Sequence, residues 1–489
     1  MNSVKHTLLI VFALLIVTPL QATVINVPGD RLRIQWAVDE ASDGDTVLLA
    51  PNTYTGVGNR QVLIQNKGLT IMGSGDPALV VLNPNDTNQY RAFAVIDPTS
   101  DVRFENLTVR NAWGWDSDTL YDWKAGGILS VNANVTLKNC RFLDVSAIDY
   151  GGVIYTEGSI IQLDDCIFDQ CSAGDGGAIY CDSGSTCIIN NSTFTHCAGI
   201  TRAGALLADG ANVEINNCEF SDNLALSGPF GVEGFGGALY VRNSGSLKVN
   251  GCRFLRNWTW DGGGAILSQN SNLEVSNSLF VENYVNCNEF LHDGGAVYAS
   301  GGSCLLSSST FVGNKSTCGT SAIYVVATPA TISQCIIVDS DPASAFGGNA
   351  VFTCTNIYGD SLGDWTGSLA DQLGQNGNIS ADPLFCSAFP GDYRIDVASP
   401  CAPENNTCNQ RMGSELVGCD MICGDADFSG FVSISDAVYL IQYIFANGAP
   451  PPTTTVADVD CNSLVTISDV VYLINYIFSS GPTPCAACP

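Results

Sequence analysis

The 489-residue chain carries 19 Lys+Arg against 48 Asp+Glu, a net charge of −29, yet only 14% of its residues are charged and 46% are hydrophobic. That is enough apolar material for a large core, which excludes a disordered acidic tail. The balance also excludes nucleic acid as a partner, because a phosphate backbone needs a basic footprint.

The N-terminus reads as an export signal over residues 1–22. Lys5 and His6 precede the apolar run Leu8 to Val17, and Ala22 offers a small residue for cleavage. No later run reaches 18 apolar residues, so a secreted or extracellular chain without a transmembrane segment is expected. Export permits disulfides among the 21 cysteines. Cys181 and Cys187 flank a short turn and could pair. Cys401, Cys408, Cys419, Cys423, Cys461, Cys485 and Cys488 crowd the C-terminal part as further candidates. Cys140, Cys166, Cys218 and Cys252 each stand two residues before a Phe, a packing position for a buried thiol.

Arg31 to Ser42 carries Leu32, Ile34, Ala37, Val38 and Ala41, the spacing of a short amphipathic helix. A strand follows from Asp43 to Leu49. Repeats then dominate the sequence. A small-small-apolar triplet recurs from Gly126-Gly127-Ile128 through Gly151-Gly152-Val153, Gly176-Gly177-Ala178, Ala203-Gly204-Ala205, Gly236-Gly237-Ala238 and Gly263-Gly264-Ala265 to Gly294-Gly295-Ala296. Thr320-Ser321-Ala322 is a degenerate copy. Phe142, Phe168, Phe194, Phe220, Phe254, Phe280 and Phe311 recur mostly every 26 residues, and the last four are followed three residues on by Asn223, Asn257, Asn283 and Asn314. Between the marks, period-two runs such as Asn212–Asn216 mean strand. A unit of three short strands cannot bury its apolar face alone, so stacked units are expected: an all-β parallel solenoid, with the N-terminal helix covering its open edge. Asp382–Phe385 and Asp392–Ile395 read as its closing segment.

Ile34 to Thr55 resembles the start of right-handed parallel β-helix proteins of the pectin-lyase-like superfamily. The Gly-Gly-Ala-Ile and Phe-x-x-Asn marks resemble the repeats of chlamydial polymorphic outer-membrane proteins. The resemblance covers residues 23–420 and implies a fold shared by lyases, hydrolases, adhesins and structural proteins, so it does not select a chemistry.

The C-terminus holds a duplicated acidic loop. Asp425, Asp427, Ser429, Ser433 and Asp436 place oxygen donors at the first, third, fifth, ninth and twelfth positions, and Phe431 offers a carbonyl at the seventh. Thirty-three residues on, Asp458, Asp460, Asn462, Leu464, Thr466 and Asp469 repeat the set, each loop running into an apolar helix. Alternate oxygens on a curling loop suit a hard cation such as Ca²⁺, and two ions are expected. Asp replaces the closing Glu of an EF-hand, and Ser463 stands where the first loop has Gly430, which should weaken the second site. The unit is similar to type I dockerin modules over residues 421–489. That resemblance implies a cohesin domain as partner, contacted through the helices, and a protein tethered to a scaffold or cell surface. Ile434-Ser435 and Ile467-Ser468 fall at the positions that help such modules select a cohesin.

Length insertions fall on one flank of the solenoid, before the Gly pairs. They bring Trp113, Trp115, Trp123, Trp258 and Trp260 near Asp149, Asp175, Arg202, Asp261 and Asp293. Aromatic rings beside carboxylates suit sugars, and paired carboxylates can act as general acid and base. The same Asp residues also fit ordinary turn chemistry before Gly. The leading expectation is a β-helix that binds or displays on polysaccharide. Its rivals are a polysaccharide lyase or glycoside hydrolase on the same tether, and a non-catalytic adhesin or envelope protein.

Overall fold

The structure is a computed structural model that describes residues 22–84, 90–114, 123–226, 234–286, 294–317, 322–340, 345–361, 363–387, 391–419, 422–427, 432–446, 448, 450–451, 454–479 and 481–484. The expected leader lies outside these residues save for Ala22. No described helix is long and apolar enough to cross a membrane.

Successive coils stack through parallel pairing in sheets of 22, 12 and 8 strands among the described residues. One coil contains Ile128–Val131, Asn134–Lys138, Arg141–Leu143 and Ser146–Ala147. Each segment pairs in register with the next coil, as Ile128 does with Ile154, Val135 with Ile161 and Phe142 with Phe168. The coil therefore has four short strands where hydropathy suggested three. The extra break comes from single left-handed residues at the corners, such as Asn139, Asp165, Asn191 and Asn217, with φ of 50°, 56°, 48° and 53°. Asn and Asp tolerate that conformation.

The repeat marks form continuous inward stacks. The rings from Phe142 to Phe311 lie face to face with centroids 4.5–5.2 Å apart. Beside them runs an asparagine ladder. Asn223 Nδ2 donates to Asn257 Oδ1 and to the Phe194 carbonyl, both at 2.9 Å, and Asn257 and Asn283 repeat the pattern. A buried amide is tolerated because both ends are satisfied in every coil. Cys140, Cys166, Cys218 and Cys252 are free buried thiols, as their position suggested. The Cys218 sulfur accepts the Ser192 amide and the Cys252 sulfur the Cys218 amide, both at 3.3 Å, so each caps the preceding coil.

The glycine register needs one correction. The Gly126 amide donates to the Gly152 carbonyl and Gly127 to Val153. The first triplet is therefore Ala125-Gly126-Gly127, with Ala125 taking the left-handed corner at φ 47°. The second glycine of each pair meets backbone: a Cβ on Gly177 would strike the carbonyl oxygen of Gly204.

At the N-terminal end the expected helix spans Ile34–Glu40 and buries Ile34, Ala37 and Val38. A strand missed in the sequence, Val24–Val27, pairs with Thr46–Leu49. At the other end, the expected closing segment contains Phe385–Ser387 and Asp392–Ile395, which pair antiparallel. The chain then folds back along the flank, so that Tyr393, Ile395, Ala402 and Met412 cover Leu279, Val312 and Ile336. Disulfides join Cys181 to Cys187, Cys354 to Cys408 and Cys386 to Cys419, and Cys423 and Cys461 are also disulfide-bonded. Cys401 departs from expectation: it is a free thiol buried in the fold-back cluster, accepting from Asn356 Nδ2 at 3.2 Å. Cys485 and Cys488 lie outside the described residues.

Candidate functional site

The two acidic loops each lead into a 13-residue helix, Ile434–Ala446 and Ile467–Ser479. The helices pack on each other through Ala437, Leu440, Val470 and Leu473, with Ala426 and Val459 of the loops in the same small core. That packing draws the loop carboxylates inward. Asp425, Asp427 and Asp436 bring one carboxylate oxygen each within 4.8 Å of one another, and Asp458, Asp460 and Asp469 do the same. Asp436 and Asp469 are fully buried at the helix starts. Burial raises both carboxyls, Asp436 to about 6, and neighbouring Asp427 and Asp460 push the same way. Such convergence of like charges is what a cation would relieve.

The remaining expected donors divide. Ser433 Oγ and Thr466 Oγ1 accept the amides of Ser435 and Ser468 at 3.2 and 3.3 Å, so they cap the helices. Asn462 Oδ1 accepts the Leu464 amide at 2.9 Å. Ser463 holds φ of 70°, the left-handed conformation for which glycine is the easier residue. Ser429 and Phe431 lie outside the described residues.

On the solenoid flank, register aligns Lys124, Tyr150 and Asp175, then Arg202, Phe235 and Asp261. Asp175 and Arg202 are neighbours as expected, with Arg202 Nη1 3.0 Å from Asp175 Oδ2. Thr201 Oγ1 donates to the other oxygen, so this buried carboxylate is fully engaged. Asp149 sits beside this pair; burial raises its carboxyl, while Lys124 opposes the shift. Asp261 is buried two coils from Arg202, beyond Phe235. Asp293 and Trp115 lie outside the described residues.

Under the column runs a row of buried tyrosines that the sequence reading missed. Tyr155 donates to Asp182 at 2.6 Å and Tyr180 to Asp209 at 3.0 Å, and Arg242 grips Asp209 through Nε and Nη2. Tyr155, Tyr180, Tyr240 and Tyr298 each stand two residues after a Gly-Gly-apolar triplet, and that spacing was the available signal.

The aromatic candidates do not gather in one place. Trp113 is half-buried, Trp123 is 45% exposed, and both stand on coils remote from Trp258. Trp258 and Trp260 meet edge to face at 5.2 Å. Trp258 pairs in register with Tyr284, and Tyr284 with Lys315. Beside these two residues opens a groove of about 400 Å³ lined by Glu282, Tyr284, Gly313, Lys315 and Asp339. Of these five the sequence offers only Tyr284, as an aromatic of the same insertions, because only stacking brings the other four beside it.

No curated protein matches the chain. Among solved structures, it is similar to the PL6 family alginate lyase AlyGC, with a TM-score of 0.45, 13% identity, and coverage of 81% of this chain and 57% of that one. It thus spans little more than half of the lyase. It is also similar to PfbA, a surface adhesin of Streptococcus pneumoniae, at TM-score 0.37 and 11% identity, covering 65% of this chain and 86% of that one. The A-module of the Azotobacter vinelandii mannuronan C-5 epimerase AlgE6 matches at TM-score 0.35 and 15% identity, covering 72% of this chain and 96% of the module. A family model for the right-handed β-helix region matches residues 67–225 and 151–338, together more than half of the chain. With the parallel sheets and stacked coils described above, the chain belongs to the right-handed β-helix family.

Proposed function

We propose that this is an exported β-helix protein that binds polysaccharide along its shaft and is held to a scaffold or cell surface by a calcium-loaded C-terminal module of the dockerin type. The observation that carries the tether is the pair of carboxylate triads, each with oxygens within 4.8 Å and a buried aspartate at the helix start. An all-oxygen donor set fits a hard cation, and Ca²⁺ accepts it at ~2.3–2.6 Å with looser geometry than Mg²⁺. Asp425, Asp427 and Asp436 would hold one ion, and Asp458, Asp460 and Asp469 the other. The ion would neutralise the crowded carboxylates and fix the loops against the helices.

A cohesin-like partner is favoured by what the helices leave outside. Ile434, Val438, Ile441 and Phe445 are exposed on the first, and Ile467, Val471, Ile474 and Phe478 on the second, at 38–67%. These are the same four positions 33 residues apart, two copies of one apolar stripe. Polysaccharide is favoured by the half-buried rings of Trp258, Trp260 and Tyr284, which lie together on neighbouring coils. The rival reading, a lyase or hydrolase, is favoured by Asp149, whose carboxyl burial keeps closer to its protonated form.

Stripping the full chain with chelator and titrating Ca²⁺ calorimetrically should show two sites and raise the melting temperature, with Mg²⁺ substituting poorly. No uptake would overturn the tether. Uptake without capture by any cohesin domain would leave the metal sites and remove the docking role. Incubation with polyuronates and neutral glycans separates the rivals: ultraviolet-absorbing unsaturated products mark a lyase, and new reducing ends without them mark a hydrolase.

A further inference from the structure

The groove beside Tyr284 owes its existence to one missing side chain. The corner it occupies runs through Asp144, Gln170, His196, Asp222, Arg256, Glu282, Gly313 and Asp339, each donating its amide to the following coil. The seven residues other than Gly313 are non-glycine and take φ between 52° and 56°. Gly313 has φ of 62°, so the backbone there is no different. A Cβ on Gly313 would meet only Glu282 Cγ, at 3.7 Å, an ordinary contact. Neither conformation nor crowding therefore demands glycine at this corner. What glycine does is leave a gap between the side chains of Glu282 and Asp339, whose Cα atoms stand two strand spacings, about 9–10 Å, apart. Tyr284 and Lys315, paired across the neighbouring strands, line the same groove.

We infer that this groove binds a neutral glycan, with one pyranose lodged over Gly313 between the Glu282 and Asp339 carboxylates. The inference rests on the polysaccharide reading above and adds the place and the substrate class. Carboxylates on two sides accept hydrogen bonds from sugar hydroxyls, Lys315 donates one, and the Tyr284 ring offers an apolar face to sugar C–H groups. Two carboxylates against one ammonium leave the groove net negative. Asp382 adds to the field at Asp339. A uronate would meet repulsion there, whereas a neutral hexose or pentose would not.

The test is affinity electrophoresis of the full chain, with calcium present, in gels holding a neutral glucan, a neutral mannan, a neutral xylan, polygalacturonate or alginate. Retardation by a neutral glycan and not by the uronates is expected. Gly313→Gln puts into the gap the side chain that Gln170 already carries at this corner, and should cut retention at least tenfold while the chain stays folded, with only the small loss of melting temperature that a left-handed side chain brings. Tyr284→Ala should weaken it too. A wild-type chain retained equally with Gly313→Gln would overturn this groove and leave polysaccharide binding elsewhere on the shaft. Retention by uronates alone would overturn the substrate class. No retention in any gel would overturn both this inference and the reading beneath it.

Discussion

Replacing Asp360 with Asn should stabilise the last coil at neutral pH and leave it unchanged in acid. Asp360 continues the buried asparagine ladder. Phe311 pairs with Ile337 and Ile337 with Ile357, so Asn314, Ser340 and Asp360 each stand three residues beyond aligned partners. Asp360 Oδ1 accepts the Ser340 amide at 2.9 Å, as Asn314 Oδ1 accepts that of Asn283 at 3.0 Å. In the asparagines the second terminal atom is an N–H donor to a main-chain carbonyl of the preceding coil, as Asn314 Nδ2 is to Phe280 at 2.9 Å. In Asp360 that atom is a carboxylate oxygen, buried and without a hydrogen-bond partner. Burial therefore raises the carboxyl from 3.8 to about 7, the Ser340 amide opposes the shift, and nearby Asp364 adds to it. With a folded pKa above the unfolded one, the protonated acid is the form the fold prefers. No penalty exists below pH 3.8. It grows between 3.8 and about 7 and is flat above. A shift of roughly three units corresponds to about 4 kcal/mol at 1.36 kcal/mol per unit. Urea unfolding of wild type and Asp360→Asn, in saturating calcium, should give curves that coincide near pH 4 and separate by up to about 4 kcal/mol at pH 8, the variant being the more stable. Parallel pH dependences, or a variant weaker at pH 8, would refute the ladder argument.

Gly177→Val would drive a branched side chain into the Gly204 carbonyl oxygen. It should lower stability by ~2–3 kcal/mol in denaturant, against ~1 kcal/mol for Gly184→Ala, where an added Cβ meets nothing within 4 Å and the cost is only that of a left-handed alanine. Ser463→Gly should relieve a left-handed residue in the second acidic loop, worth ~1 kcal/mol, and tighten calcium at that loop in a calorimetric titration. An unchanged second-site affinity would mean that the calcium-bound loop does not keep this conformation.

The solenoid was legible because its energetics are one-dimensional. A residue that stacks on its own kind every 26 positions must recur in the sequence, and the Phe, Asn and Gly columns did so. What hydropathy could not show were the corners. A single left-handed Asn or Asp breaks a strand without changing its polarity, so four strands read as three. The false start of the glycine register has the same origin, since Gly126-Gly127 looks like the pair while Ala125 occupies the turn. In the acidic loops, oxygen spacing alone identified the carboxylates that converge. That the hydroxyls of Ser433 and Thr466 also cap their helices follows only from the structure.

On the flank, coil length shows which residues are neighbours but not what they bond to. Asp175 and Arg202 follow from the coil length, but the Thr201 hydroxyl that engages the carboxylate's second oxygen follows only from the coordinates. In a stacked fold an uninterrupted column is self-satisfying: each group meets its copy above and below, and nothing is left over for a ligand. Chemistry is therefore to be sought where a column is broken. Gly313 breaks a column of side chains and opens a groove, and Asp360 takes up the ladder position beyond Ser340 with a carboxylate and leaves an oxygen without a partner. Neither residue belongs to a motif. Each is conspicuous only against the regularity of its neighbours, which makes the repeat itself the reference from which a site can be recognised.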